Sequence, residues 1–147
     1  MPKLSPTEYQ ELKAFLGFYS QRFFDMKRLV PEQRPVAVLE AMESRAPAKA
    51  AEGLRMAIND CLEMSSRWAP ERVMQLDVEL KQNGLVTLSA LRRRYSRDYS
   101  RIAKRGRIKS EVEYYLVKGI LDAEALNLTD KERRSIDRMI IDYEGAS

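Results

Sequence analysis

The stretch SEVEYYLVKGILDAEALNLTDKERRSIDRMIIDY, Ser110–Tyr143, decides the fold class of this chain. Two capping boxes, Ser110–Glu113 and Thr129–Glu132, each place a hydroxyl residue three positions before a glutamate, the pattern of a helix start. Apolar residues then recur at steps of three and four in both halves. We expect two helices that form a hairpin across the AEALNL loop. Their facing positions are Val112, Leu116, Ile120 and Leu121 in the first helix, and Ile136, Met139, Ile140 and Tyr143 in the second.

Helix signals recur along the rest of the chain, and strand signals are nearly absent. Ser5–Glu8 is a third capping box, and an apolar stripe at helical spacing follows it up to Met26. Prolines in Pro31–Pro35 end that helix because they lack the amide donor. Thr87 begins a helix that we expect to run to about Lys104. The sequence therefore predicts an all-α fold, a compact single-domain bundle of about six or seven helices over residues 1–147, ending in a helical hairpin.

Composition narrows the classes of function. The chain of 147 residues has 44% hydrophobic and 33% charged residues, which is ordinary for a globular protein. It has no histidine and one cysteine, Cys61, so an imidazole base and a Cys/His zinc site are excluded. The carboxylate pairs occur in ordinary amphipathic helix patterns. We therefore expect a non-enzyme with no catalytic residues, no metal and no cofactor.

The same composition gives an expectation about location. No window reaches the roughly 18 apolar residues of a membrane span, and the N-terminal residues MPKLSPTEYQ lack the apolar core of a secretory signal. We expect a cytoplasmic protein with no membrane contact.

Positive charge is concentrated in LRRRYSRDYSRIAKRGRIK, Leu91–Lys109. Residues 92–109 hold nine basic side chains and one acidic one, a net charge of +8. The hairpin residues 110–147 hold five basic and nine acidic side chains, a net charge of −4. A basic segment of this kind is typical of proteins that bind phosphate backbones or acidic proteins.

The faces of this basic helix have two interpretations. Leu88, Leu91, Tyr95, Tyr99 and Ile102 share one stripe, so we favour the two tyrosines as core residues over exposed rings that stack on bases. The arginines either face a partner or form surface ion pairs with the acids of the hairpin, each worth roughly 0 to 1 kcal/mol. Pairing with the hairpin would leave only part of the charge exposed.

The favoured hypothesis is a non-enzymatic protein-interaction module, of the adaptor, inhibitor or immunity type, that binds an acidic protein partner. The alternative is an RNA- or DNA-binding protein that contacts phosphates through the same helix. The turn at Asn83-Gly84 matches a helix-turn-helix poorly, which favours the first. A homodimer through the aromatic-rich helix Thr7–Met26 is a further option. In both cases the predicted binding residues are Arg92, Arg93, Arg94, Arg97, Arg101, Lys104, Arg105, Arg107 and Lys109.

Overall fold

The computed structural model describes residues 3–146 of the chain. These residues form eight α-helices and three short 3-10 helices and contain no strand, so the all-α prediction is confirmed. The α-helices are α1 (Pro6–Phe23), α2 (Pro35–Arg45), α3 (Pro47–Met64), α4 (Pro70–Gln82), α5 (Leu88–Tyr95), α6 (Arg97–Arg105), α7 (Glu111–Glu124) and α8 (Asp130–Ala146). The 3-10 helices are Met26–Arg28, Pro31–Gln33 and Ala125–Asn127.

Contacts divide the chain into two compact units. Unit 1 holds the described residues through Glu63 together with Gly84–Val86, and unit 2 holds Met64–Asn83 and the described residues from Thr87 onward. The expectation of one domain over residues 1–147 stays a prediction, and its ends, Met1, Pro2 and Ser147, lie outside the described residues.

Unit 1 is built on the aromatic face of α1. The capping box at Ser5 is complete, because the Glu8 amide donates to Ser5 Oγ at 3.1 Å and the Ser5 amide donates to Glu8 Oε1 at 3.2 Å. Phe15 and Tyr19 are fully buried and stack at 5.7 Å between ring centroids. The Tyr19 hydroxyl donates to the Cys61 carbonyl at 3.5 Å, which ties α1 to α3.

The core of unit 2 is formed mainly by α6, α7 and α8. Its buried cluster contains Tyr99, Ile102, Ile108, Leu116, Val117, Ile120, Ile136, Met139 and Ile140. Across α7 and α8, Tyr114 stacks on Tyr143 at 5.2 Å, and its hydroxyl donates to Glu144 Oε2 at 2.5 Å. The arrangement of these two helices as a hairpin stays a prediction. Val112 differs from expectation, because it is 37% exposed and lies outside this core.

The basic segment is two helices and not the one that the sequence predicts. Ser96 ends α5 with an extended ψ of 122°, and the same residue caps α6, where its hydroxyl accepts from the Tyr99 amide at 3.1 Å. A serine that satisfies the first amides of a new helix can compete with continuation of the old one. Tyr99 and Ile102 are buried as expected, and Tyr95 is half-buried.

Candidate functional site

Helix α4 exposes large apolar side chains on one face. Met74 is 65% exposed and Val78, one turn later, is 50% exposed. Pro70 and Lys81 continue the same face at helical spacing. The adjoining side of the helix carries Val73, Leu76 and Leu80, which are buried. Helix α4 therefore has a second apolar surface that its own unit leaves uncovered.

Helix α7 presents a matching face. Val112, Tyr115, Leu116, Gly119 and Asp122 recur at steps of three and four and line the same cavity as the α4 face. Tyr115 is 40% exposed, and its hydroxyl donates to Glu111 Oε1 at 2.7 Å, which orients the ring. A Cβ added at Gly119 would meet no atom within 4 Å, so this part of the cavity is open.

The cavity between these faces has a volume of about 290 Å³, and every residue that lines it belongs to unit 2. We call it the α4–α7 groove. The segment before α4 contributes Trp68, and the Arg72 guanidinium lies over that ring at 4.0 Å from its centroid. Helix α5 and its N-cap contribute Ser89, Arg92 and Thr87. An apolar cavity with a few polar groups at its wall is the usual form of a binding site.

Asp77 and Ser89 form a buried polar pair at this wall. Asp77 Oδ2 accepts from Ser89 Oγ at 2.5 Å, and Asp77 Oδ1 accepts from the Ser89 amide at 3.2 Å. The carboxylate thus satisfies an amide in the first turn of α5, where negative charge is favoured by the helix dipole. Burial nevertheless raises the pKa of Asp77, against the lowering effect of these hydrogen bonds and of Arg92. The pair fixes α4 to α5.

Arg92 is the first of the predicted binding residues, and it is only 6% exposed. Its Nη2 donates to the Ser65 carbonyl at 2.6 Å, so the guanidinium helps to hold the segment that precedes α4. Arg92 therefore lines the wall of the groove and is not part of an exposed basic surface.

Two other predicted residues pair with acids of α7 and α8. Arg93 donates to both carboxylate oxygens of Glu132, through Nη2 at 2.7 Å and through Nε at 3.3 Å. Arg105 forms an ion pair with Glu113. The hydrogen bond from Arg93 holds the pKa of Glu132 below its usual value. These contacts correspond to the ion-pair interpretation of the basic segment.

The other six predicted residues are exposed. Arg101 pairs with Asp98 within α6, and Arg94 also has an interaction within the chain. The exposed set is Arg94, Arg97, Arg101, Lys104, Arg107 and Lys109. The structure thus separates the nine predicted residues into a buried one, two that pair with α7 and α8, and six at the surface.

Sequence reasoning missed the groove. The signal was present in the spacing of Met74 with Val78 and of Val112 with Tyr115, each of which adds a second apolar strip to its helix. A pattern of this kind shows that a helix has two apolar faces, but the tertiary structure decides which of them is covered.

Comparisons of the chain with protein-family models, with curated proteins and with solved structures gave no match. Within residues 3–146, no helix combines the length and the apolar character that crossing a membrane requires.

Proposed function

We propose that this protein is a non-enzymatic helical interaction module that binds an acidic protein partner. The observation that carries the proposal is the α4–α7 groove, whose rim exposes Met74, Val78, Val112 and Tyr115. Interface energy is usually concentrated in a few apolar or aromatic anchors that become buried in the complex. An exposed cluster of such residues beside a cavity is the kind of surface that a protein partner covers.

The charge distribution supports an acidic partner. The exposed basic residues of α6 and the following loop, such as Arg97, Lys104 and Arg107, lie in the same unit as the groove. Positive charge of this kind accelerates association with an acidic surface and disfavours basic ones. In this proposal the groove supplies the binding energy and the exposed basic residues steer the encounter.

The polar groups at the groove wall support a structural role over a catalytic one. Asp77 is held by Ser89, and Arg92 is bonded to the Ser65 carbonyl. Each of these side chains joins one part of unit 2 to another. In the proposal they shape the wall of the groove and carry out no chemistry.

The test is a selection from a displayed library of random helical peptides, with the purified protein as target. We expect enriched peptides to be acidic and to bind with micromolar or tighter Kd at about 150 mM salt, where exposed charges are largely screened beyond about 8 Å. Counter-selection uses Met74→Glu/Val78→Glu, which places charges at the rim. The proposal is contradicted if no enriched peptide binds the native protein more tightly than it binds this variant.

A second candidate function is nucleic-acid binding, which the six exposed basic residues favour. It predicts binding of generic RNA or DNA duplexes with an affinity that falls steeply with salt. It also predicts that Arg97→Glu/Lys104→Glu abolishes binding, while the Met74→Glu/Val78→Glu variant weakens it only slightly. The protein-interaction proposal is favoured if the protein binds peptides, Met74→Glu/Val78→Glu abolishes that binding, and Arg97→Glu/Lys104→Glu weakens it only slightly.

A further inference from the structure

We infer that the α4–α7 groove receives an amphipathic helix of a partner, with acidic residues flanking the apolar face of that helix. This inference rests on the proposed function and names the occupant of the site. Three observations support it: the length and periodicity of the two walls, the open position at Gly119, and the charges beside the groove.

The two walls have the length and periodicity of a helix-binding groove. The lining positions of α4 run from Pro70 to Lys81, and those of α7 run from Val112 to Ala123. Each wall thus spans 11 residue steps, roughly 16 Å or three turns at 1.5 Å per residue. Helix-in-groove recognition places anchors at i, i+3 or i+4, and i+7 of the bound helix against such walls. A segment of about three turns matches this site in length.

Gly119 provides the closest approach. It lies inside α7, where glycine is roughly 1 kcal/mol less favourable than alanine. Its φ is not positive, and no neighbouring atom within 4 Å would be displaced by a Cβ. Nothing inside unit 2 therefore requires a glycine at this position. Small residues at helix contacts let two backbones approach closely, and Ala123 one turn later extends the small surface.

The charges beside the groove favour an acidic helix. Arg67, Lys81 and Lys118 line it, and none of the three forms an ion pair within the described part of the chain. The lining acids are Asp122, which is exposed, and Asp77, which is buried against Ser89. Glu111, which accepts from the Tyr115 hydroxyl, and Glu71, whose charge also acts on Tyr115, lie beside the Tyr115 end of the groove. Glutamates on the flanks of a bound helix would complement Arg67, Lys81 and Lys118, away from the acids near Tyr115, and contribute mainly to specificity and association rate.

The experiment uses a designed peptide of about 18 residues, long enough to cover three turns with both flanks. Leucines occupy one face at i, i+3, i+4 and i+7, and glutamates flank that face. Binding of the labelled peptide is followed by fluorescence anisotropy at about 150 mM salt. We compare the native protein with Gly119→Phe, which places a ring in the groove, and with Gly53→Phe as a matched control. Gly53 is an exposed glycine of α3 whose added Cβ also meets nothing within 4 Å.

We expect the peptide to bind the native protein, to bind Gly119→Phe with an affinity lower by about tenfold or more, and to bind Gly53→Phe with unchanged affinity. A tenfold change in Kd corresponds to about 1.4 kcal/mol. Circular dichroism and urea unfolding of both variants check that they fold. A second peptide with lysines in place of the glutamates should bind about tenfold more weakly.

Three outcomes would overturn the inference. Equal binding to Gly119→Phe would place the helix elsewhere and leave the proposed function standing. Equal binding of the lysine peptide would remove the acidic specificity. Stoichiometric binding of dodecanoate that is lost in Gly119→Phe, with no binding of either peptide, would make the occupant a small amphiphile. The proposed function itself fails only if the library selection also enriches no peptide that distinguishes the native protein from Met74→Glu/Val78→Glu.

Discussion

Removal of the Asp77 carboxylate should destabilise unit 2 strongly. In Asp77→Ala the Ser89 amide and hydroxyl lose their acceptors, which lie at 3.2 Å and 2.5 Å in the native protein. Each buried donor left unsatisfied costs about 1–3 kcal/mol. Part of this cost is offset because the variant no longer buries a carboxylate. We expect the free energy of unfolding to fall by about 2–4 kcal/mol, measured by urea denaturation at neutral pH.

Asp77→Asn separates the hydrogen bonds from the charge. Its amide oxygen can accept from the Ser89 amide and its NH₂ group can donate to Ser89 Oγ, so we expect it within about 1 kcal/mol of the native protein at neutral pH. Asp137→Ala, the same truncation as Asp77→Ala at an exposed position of α8, is the matched control and should change stability by less than about 0.5 kcal/mol.

The pH dependence follows from the raised pKa of Asp77, whose ordinary value is 3.8. A carboxyl with a raised folded-state pKa binds its proton more tightly in the folded state. Its contribution to stability is therefore full below 3.8 and is lost as pH rises through the folded-state pKa. The stability of the native protein relative to Asp77→Asn should decline across that window. The opposite slopes of other carboxylates cancel because both proteins contain them.

Two results would refute this reasoning. One is an Asp77→Ala variant as stable as Asp137→Ala, which would mean that the Ser89 donors find other acceptors. The other concerns the difference in free energy of unfolding between the native protein and Asp77→Asn. If this difference stays constant or rises with pH, burial does not disfavour the Asp77 carboxylate.

Three further predictions concern single side chains. Glu132→Gln should lower the free energy of unfolding by about 1 kcal/mol at neutral pH, since it weakens the pair with Arg93 at the partly exposed surface. Because the pKa of Glu132 is lowered, this loss should vanish in urea titrations as pH falls through that pKa. Burial raises the pKa of Cys61 to about 12, so Ellman's reagent should label this thiol at pH 8 only after unfolding; rapid labelling of the native protein would contradict its burial. Gly119→Ala should raise the free energy of unfolding by about 0.5–1 kcal/mol. A decrease in this free energy would show that the groove closes over this position.

The helix starts could be predicted because each depends on a few neighbouring residues. The box at Ser5 forms as expected, and Thr129 Oγ1 accepts from the Glu132 amide at 3.1 Å. At Ser110 only half of the box forms. Its hydroxyl accepts from the Glu113 amide, but the Glu113 carboxylate accepts from the Lys109 amide at 2.8 Å and pairs with Arg105. The capping-box pattern does not show that Glu113 pairs with Arg105, eight positions earlier, and accepts from the Lys109 amide instead of the Ser110 amide.

The break at Ser96 and the groove could not be predicted for a related reason. Helical periodicity continues from Leu88 to Ile102 with or without a break, so the pattern does not reveal that Ser96 caps a new helix. The groove depends on the side of α4 and of α7 that is left uncovered after packing. Arg92 illustrates the same limit, because its burial depends on the Ser65 carbonyl, 27 positions earlier in the chain.

The most direct test of the account uses Trp68, the one tryptophan of the chain, which lies at the wall of the groove. Its emission spectrum is recorded while a tryptophan-free acidic helical peptide is added. We expect a saturable blue shift, because the bound helix excludes water from the ring, with the same Kd as anisotropy gives. In Gly119→Phe the same shift should require at least about ten times more peptide. Binding seen by anisotropy with no change in Trp68 emission would contradict the claim that the α4–α7 groove is the binding site.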